Sequence, residues 1–304
     1  MLELFGKTHI DFVGKRHLFF VISGLLVLLG IIALIQISRG EANLGIDFAG
    51  GAAIQLKFTQ PVQIDEARTA LETGGFRDAE LQEVIEGNKL LIRLKKQDIV
   101  RKNVRERIEE AFSKTFPDNQ FVVESSTEIG PTIGKKLQDD ALIAVLISMV
   151  CIIIYIAFRF EFRFGIAASI ATFHDVLAVL GVFFVLNKEI TLLTVTALLT
   201  IAGYSLTDTV VVFDRIRENL KLKKKESFDQ IINQAINQIL SRTFNTSFTT
   251  LLAVAALFFF GGEVIHDFSL AMILGVIVGT YSSWFVASPL LLFWRKGGRA
   301  LKRA

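Results

Sequence analysis

The 304-residue sequence predicts a polytopic α-helical membrane protein: six transmembrane helices, with an external ferredoxin-like α+β domain between the first and second. Two observations predict the spans. Hydrophobic residues make up 52% of the chain and charged residues still 21%, so charge must be segregated from long apolar stretches. Six stretches are long enough for a hydrocarbon core that takes about 20 apolar residues per crossing. A third observation predicts the domain. The long polar interval Ser38 to Gln138 carries strand-period and helix-period patterns in the order β-α-β-β-α-β. This balance excludes an ordinary soluble domain, a disordered chain and a collagen-like repeat. The single cysteine, Cys151, lies in an apolar stretch, so neither a disulfide framework nor a cysteine metal site is expected.

Residues 1–17 read as a cytoplasmic N-terminus, and 18–37 as the first span. Lys15 and Arg16 precede that span as in a signal peptide. No small-residue cleavage site follows and the run is too long for an h-region, so a retained anchor is expected. Residues 38–138 form the external domain. Ala53 to Phe58 alternates, with Ile54, Leu56 and Phe58 on one face of a strand. A helix from Asp65 to Thr73 ends at Gly74-Gly75. Strands Leu81–Glu86 and Lys89–Leu94 are joined by a tight turn at Gly87-Asn88. Asp98 caps a helix with the apolar stripe Val100, Val104, Ile108 and Phe112, and Phe121-Val122-Val123 makes the last strand. The fold carries no function by itself.

Residues 139–294 read as a five-helix bundle with spans near Ala141–Phe158, Gly165–Leu186, Thr191–Phe213, Ser247–Gly262 and Phe268–Trp294. Its cytoplasmic loop, 214–242, is basic. Within it Phe228 to Leu240 has apolar residues at helical spacing and is expected to lie on the membrane surface or pack under the spans. Gly275 and Gly279 form a GxxxG face that Ser282-Ser283 continues, suited to close helix packing rather than to a ligand. Residues 295–304 are a basic tail. Lys and Arg concentrate in the 214–242 loop, the tail and the Arg159–Arg163 turn, which places both termini in the cytoplasm. Beside spans, these basic runs set topology; no nucleic-acid partner is expected.

Ionisable residues inside a span cost about 2.5–3.5 kcal/mol on insertion scales, and each calls for a reason. His174 and Asp175 lie mid-way along the third span. Asp208 lies in the fourth, six residues before Asp214, or about 9 Å inside the cytoplasmic rim. Arg242 stands at the entrance to the fifth and can approach Asp208, because the two spans are consecutive. Asp208 then alternates between protonated and Arg-paired states; a static pair, or a neutral acid bonded to Thr207 or Thr209, remains open. His174 and Asp175 project about 100° apart and are not expected to face one partner together. Helix packing serves for them as well as a proton role. No second facing aspartate with a preceding Gly, no Ser-His pair, zinc motif or P-loop is present, so an enzyme is not expected.

Five blocks, in order, resemble the SecF family of the bacterial Sec protein-export machinery. They are Gly45 to Gly51, Ile129 to Gly134, Gly203 to Asn219, Ser241 to Ser247, and Gly279 to Ser283 with Ala287 to Pro289. The resemblance implies half of an RND-like transporter, paired with SecD, that assists the SecYEG channel in the bacterial inner membrane. There it uses the proton motive force to help preprotein emerge and be released outside. It leaves YajC and YidC open as further partners, and implies no cofactor beyond the gradient. It assigns proton transfer to Asp208 and Arg242; beside it, the intramembrane residues themselves offer a secondary path through Asp175, His174 and Thr207. The family often has Asn where Thr207 stands, which bears on the proton route. The competing reading is half of an RND-type exporter of small molecules or lipids, which would need a larger external domain.

Overall fold

The computed structural model describes residues 8–76, 79–84, 87–95, 104–222 and 226–294. The chain divides into two compact units, Leu44–Ile143 and a second built from both chain ends. The first long helix, α1 (Arg16–Arg39), belongs to the second unit.

The α+β unit begins with a single turn, α2 (Ile46–Ala49). There follow β1 (Gly51–Phe58), α3 (Ile64–Thr73), β2 (Glu80–Val84), β3 (Lys89–Lys95), α4 (Val104–Thr115) and β4 (Phe121–Ile129). The sheet order is β2-β3-β1-β4, antiparallel throughout, which is the split arrangement expected. Period-2 alternation fixes its faces. Ile54, Leu56 and Phe58 of β1 and Leu90, Ile92 and Leu94 of β3 are buried together, covered by Ala67, Ala70 and Leu71 of α3 and Val104, Ile108 and Phe112 of α4. The β2–β3 register differs from the expected one, in which Glu86 would face Lys89 across a two-residue turn. Val84 pairs with Lys89, and Gly87 and Asn88 both adopt positive φ. Residues 85–86 lie outside the described residues, as do Asp98 and Val100, expected at the start of α4. A bulge in β4 sets Gln55 opposite Ser125 but Leu56 opposite Val123. The extra residue, Glu124, accepts from Lys89 Nζ at 2.8 Å and Gln55 Nε2 at 3.0 Å.

The remaining long helices are α5 (Pro131–Arg159), α6 (Phe162–Val185), α7 (Leu192–Leu222), α8 (Phe228–Phe260) and α9 (Glu263–Ser282). With α1 they make six helices long and apolar enough to cross a bilayer, and the chain is a multi-pass membrane protein. Helices α6, α7 and α9 are the most buried; α1, α5 and α8 present most of their apolar surface outward. Contact between α1 and α6 is close because Gly30 and Gly181 face each other. A Cβ on Gly30 would lie 2.2 Å from the Leu177 carbonyl oxygen, and one on Gly181 2.7 Å from the Gly30 nitrogen.

Two elements differ from expectation. The segment Phe228–Leu240 is the first part of α8, continuous with the fifth span. Of the two arrangements expected for its apolar side, packing against the spans is the one found: Phe228, Ile232 and Ile236 join Phe12, Phe160, Phe213 and Ile216 in one buried layer, and only the unbroken helix is unexpected. The last span is interrupted. After Ser282 the chain takes a π-helical turn, Ser283–Ala287, before Ser288–Leu290 resumes the α-helix.

Candidate functional site

Helix α7 carries the carboxylate singled out by the sequence. Asp208 is buried and its Oδ2 has no hydrogen-bond partner among the described residues. Leaving a buried acceptor unsatisfied costs about 1–3 kcal/mol, so this oxygen is an open acceptor inside the bundle. Asp208 lies 14 residues before the end of α7, and Arg242 lies 14 residues after the start of α8. At 1.5 Å per residue both stand about 21 Å from the helix ends that the 223–227 connection joins, hence at one level of the hairpin.

They do not pair. The Arg242 side chain is exposed and makes no ion pair among the described residues. The contact expected from the sequence is absent because Arg242 turns away from the buried face of α8, where Ile239, Leu240 and Thr243 sit. Nor do the neighbouring threonines bond Asp208. Thr207 is exposed and donates to the Tyr204 carbonyl of its own helix at 2.7 Å, and Thr209 Oγ1 meets Ser283 Oγ at 2.9 Å. Asp214, at the rim, is engaged by Arg159 and by Arg217.

The best-connected carboxylate is instead Asp175 on α6, which is wholly buried. Its Oδ1 lies 2.8 Å from His174 Nδ1. Its Oδ2 accepts from Ser205 Oγ of α7 and from Ser282 Oγ of α9, the latter at 2.9 Å. His174 Nε2 is 3.3 Å from the Tyr281 hydroxyl, which is 3.3 Å from Ser23 Oγ of α1. The chain is satisfied in either protonation state of Asp175. With Asp175 ionised, Ser23 donates to Tyr281, Tyr281 to His174 Nε2, and His174 Nδ1–H to the carboxylate; with Asp175 protonated, the same contacts are satisfied in the reverse direction. Neighbouring residues on α6 thus do reach one partner element, contrary to expectation. The partner supplies two consecutive residues itself, Tyr281 for His174 and Ser282 for Asp175.

Three helices, α6, α7 and α9, therefore meet at one carboxylate, with α1 joined to it through Tyr281 and His174, while a second carboxylate on α7 keeps an oxygen free. Sequence reasoning missed Ser205, Tyr281 and Ser23. Ser282 and Ser283 were visible only as small residues, yet their hydroxyls bond Asp175 and Thr209. The GxxxG face packs as expected: a Cβ on Gly279 would come within 2.9 Å of the Ser205 Cβ.

A bundle of six membrane-length helices, joined to a ferredoxin-like α+β unit, defines the class: a multi-pass membrane protein with an α+β domain. Family models narrow this. The model described as protein export membrane protein SecD/SecF, C-terminal, matches residues 100–297, and that of the SecD/SecF GG motif matches residues 42–62. The protein translocase subunit SecF of Thermodesulfovibrio yellowstonii is 54% identical over 97% of this chain and 98% of that protein. That of Endomicrobium trichonymphae is 43% identical over 100% of this chain and 97% of its own length. The chain belongs to the SecF family. The crystal structure of SecDF, a translocon-associated membrane protein from Thermus thermophilus, matches 95% of the chain at 37% identity with a TM-score of 0.82. SecDF in a super-membrane-facing form matches 96% at 36% identity with a TM-score of 0.68. The chain spans about two-fifths of each of those solved chains, 39%.

Proposed function

We propose that this chain is an accessory subunit of the Sec preprotein translocase that converts the proton motive force into late translocation and release of preprotein. It acts with a SecD-type partner at the SecYEG channel in a bacterial inner membrane, with both termini cytoplasmic and the α+β unit outside. It catalyses no reaction and takes no cofactor; the gradient is the energy source. YajC and YidC remain candidate neighbours on the strength of the family alone.

One observation carries the reading: the free, buried Oδ2 of Asp208, level with Arg242 on the next helix. A carboxyl so placed takes up a proton in one state and meets the guanidinium in another. The exposed Arg242 makes the pair a state reached by movement of α8 against α7. His174 and Asp175 supply a secondary path; Thr207 contributes least, since its hydroxyl is turned to its own helix. One elementary charge crossing 100 mV is worth about 2.3 kcal/mol, enough to bias a two-state element.

Preprotein import into inverted membrane vesicles, with and without a proton gradient, tests this. Asp208→Asn is expected to assemble with its partner and lose the gradient-stimulated part. Full stimulation in that variant refutes the assignment.

A further inference from the structure

We infer that Asp175 is the positioning residue of this site: through Ser205 and Ser282 it fixes the turn of α7 that presents Asp208. The inference rests on the reading that Asp208 is the proton-carrying group.

Ser205 lies three residues before Asp208 and Thr209 one after it, so both belong to the turn that bears the carboxyl. Each is bonded away from its own helix, Ser205 to Asp175 of α6 and Thr209 to Ser283 beyond α9. The turn has no slack toward α9, since Gly279 leaves no room for even a methyl group against Ser205. Asp208 thus sits between two fixed points, which explains how a buried oxygen can stay without a partner: the backbone cannot shift to find one.

The residue type at position 175 matters. A carboxylate accepts two hydroxyls on one oxygen and an imidazole N–H on the other, and an amide cannot, because one of its edges donates. The opposite edge is held as firmly, through His174, Tyr281 and Ser23. The π-helical turn begins at Ser283, the residue that receives Thr209, and Ser288 Oγ donates to the Ser283 carbonyl at 2.8 Å. Single π turns inside α-helices recur at functional sites. Here the turn sets where α9 delivers Ser282 and Ser283 to the α7 turn.

The test reads Asp208 directly, in membranes holding the full chain and its partner, with no gradient and no export. Dicyclohexylcarbodiimide, an apolar reagent for protonated carboxyls, is applied across a pH series, and Asp208 labelling is measured by peptide mass mapping. Asp175→Asn and Ser205→Ala are each expected to move the pH midpoint of labelling by about one unit, a roughly tenfold change in rate at fixed pH. The double variant moves it no further than Asp175→Asn alone, because the hydroxyl acts through the carboxylate. Thr200→Ala, whose hydroxyl bonds its own helix, leaves the midpoint in place. Native midpoints in the two variants, additive shifts in the double, or an equal shift in Thr200→Ala overturn the inference. Where Asp175→Asn does not accumulate, Ser205→Ala and Ser282→Ala decide, and unchanged midpoints in both overturn it. An intact gradient response in Asp208→Asn would sink the export reading while leaving this labelling result interpretable.

Discussion

Gly30 shows how much a single position can carry. Backbone atoms of α6 stand where its side chain would be, so no rotamer change can make room. Gly30→Ala is expected to destabilise the bundle by about 1–3 kcal/mol, the cost of overpacking a rigid contact. Gly24→Ala, on the same helix with nothing within 4 Å of the added carbon, should leave stability unchanged or slightly raised. Thermal unfolding of the two variants in detergent checks the pair. Residues of this kind divide by how they become visible. Asp208 was legible in the sequence because a carboxylate in an apolar run is costly wherever its neighbours lie. The partners of His174 and Asp175 were not legible: Tyr281 and Ser282 are each 107 residues away from the α6 residue they bond, and only the crossing of α6 and α9 brings them there. Serines on an apolar helix carry no mark of whether they pack or donate.

Helix α8 shows the limit of reading polarity as a boundary. The run Ser241 to Thr250 is polar enough to suggest a break between an amphipathic segment and a span. The chain stays helical across it, with the hydroxyls turned back onto the helix: Thr243 to Ile239, Thr246 to Arg242, Thr249 to Asn245 and Thr250 to Thr246. Each such side chain satisfies itself and leaves the main-chain ladder intact. The other end of α8 holds the N-terminal segment by a device that no local pattern announces. Asn237 Oδ1 accepts from the Ile10 N–H at 2.9 Å and its Nδ2 donates to the Ile10 carbonyl at 2.8 Å, so the amide imitates a strand partner. One turn earlier, Asn233 Oδ1 accepts from the Val13 N–H and its Nδ2 donates to Asp11. Asn237→Ala is expected to leave the helix folded and expose residues 8–14, read as faster limited proteolysis or amide exchange there. The Gly14 N–H and then the Asn233 amide hold the Asp11 carboxyl below its ordinary value of 3.8. Folding therefore favours the ionised form. Its contribution is complete above 3.8 and is lost only as pH falls through the lower folded value. Protection of residues 8–14 should stay flat from neutral pH down to 3.8 and decline below it.

At the scale of the whole molecule, the α+β unit has its own apolar core, sharing no residue with the clusters of the bundle. Its order was legible for that reason: each strand and helix there has one wet and one dry face, so period and burial coincide. The bundle hides its organisation, since spans that are apolar all round do not say which side meets lipid and which meets another helix. A unit with its own core can unfold and refold as one. The excised segment Leu44–Gly130 is therefore expected to be soluble and to unfold in a single cooperative step, followed by circular dichroism in urea. Ile108, wholly buried between α4 and the sheet, should cost about 2–5 kcal/mol when replaced by Ala, because the cavity cannot close against a twisted sheet. The same substitution in the full chain should lower only the transition of this unit and leave that of the bundle in place. A shared transition, moving as one, would mean that the two cores are coupled in stability and that the unit does not act as a separate body.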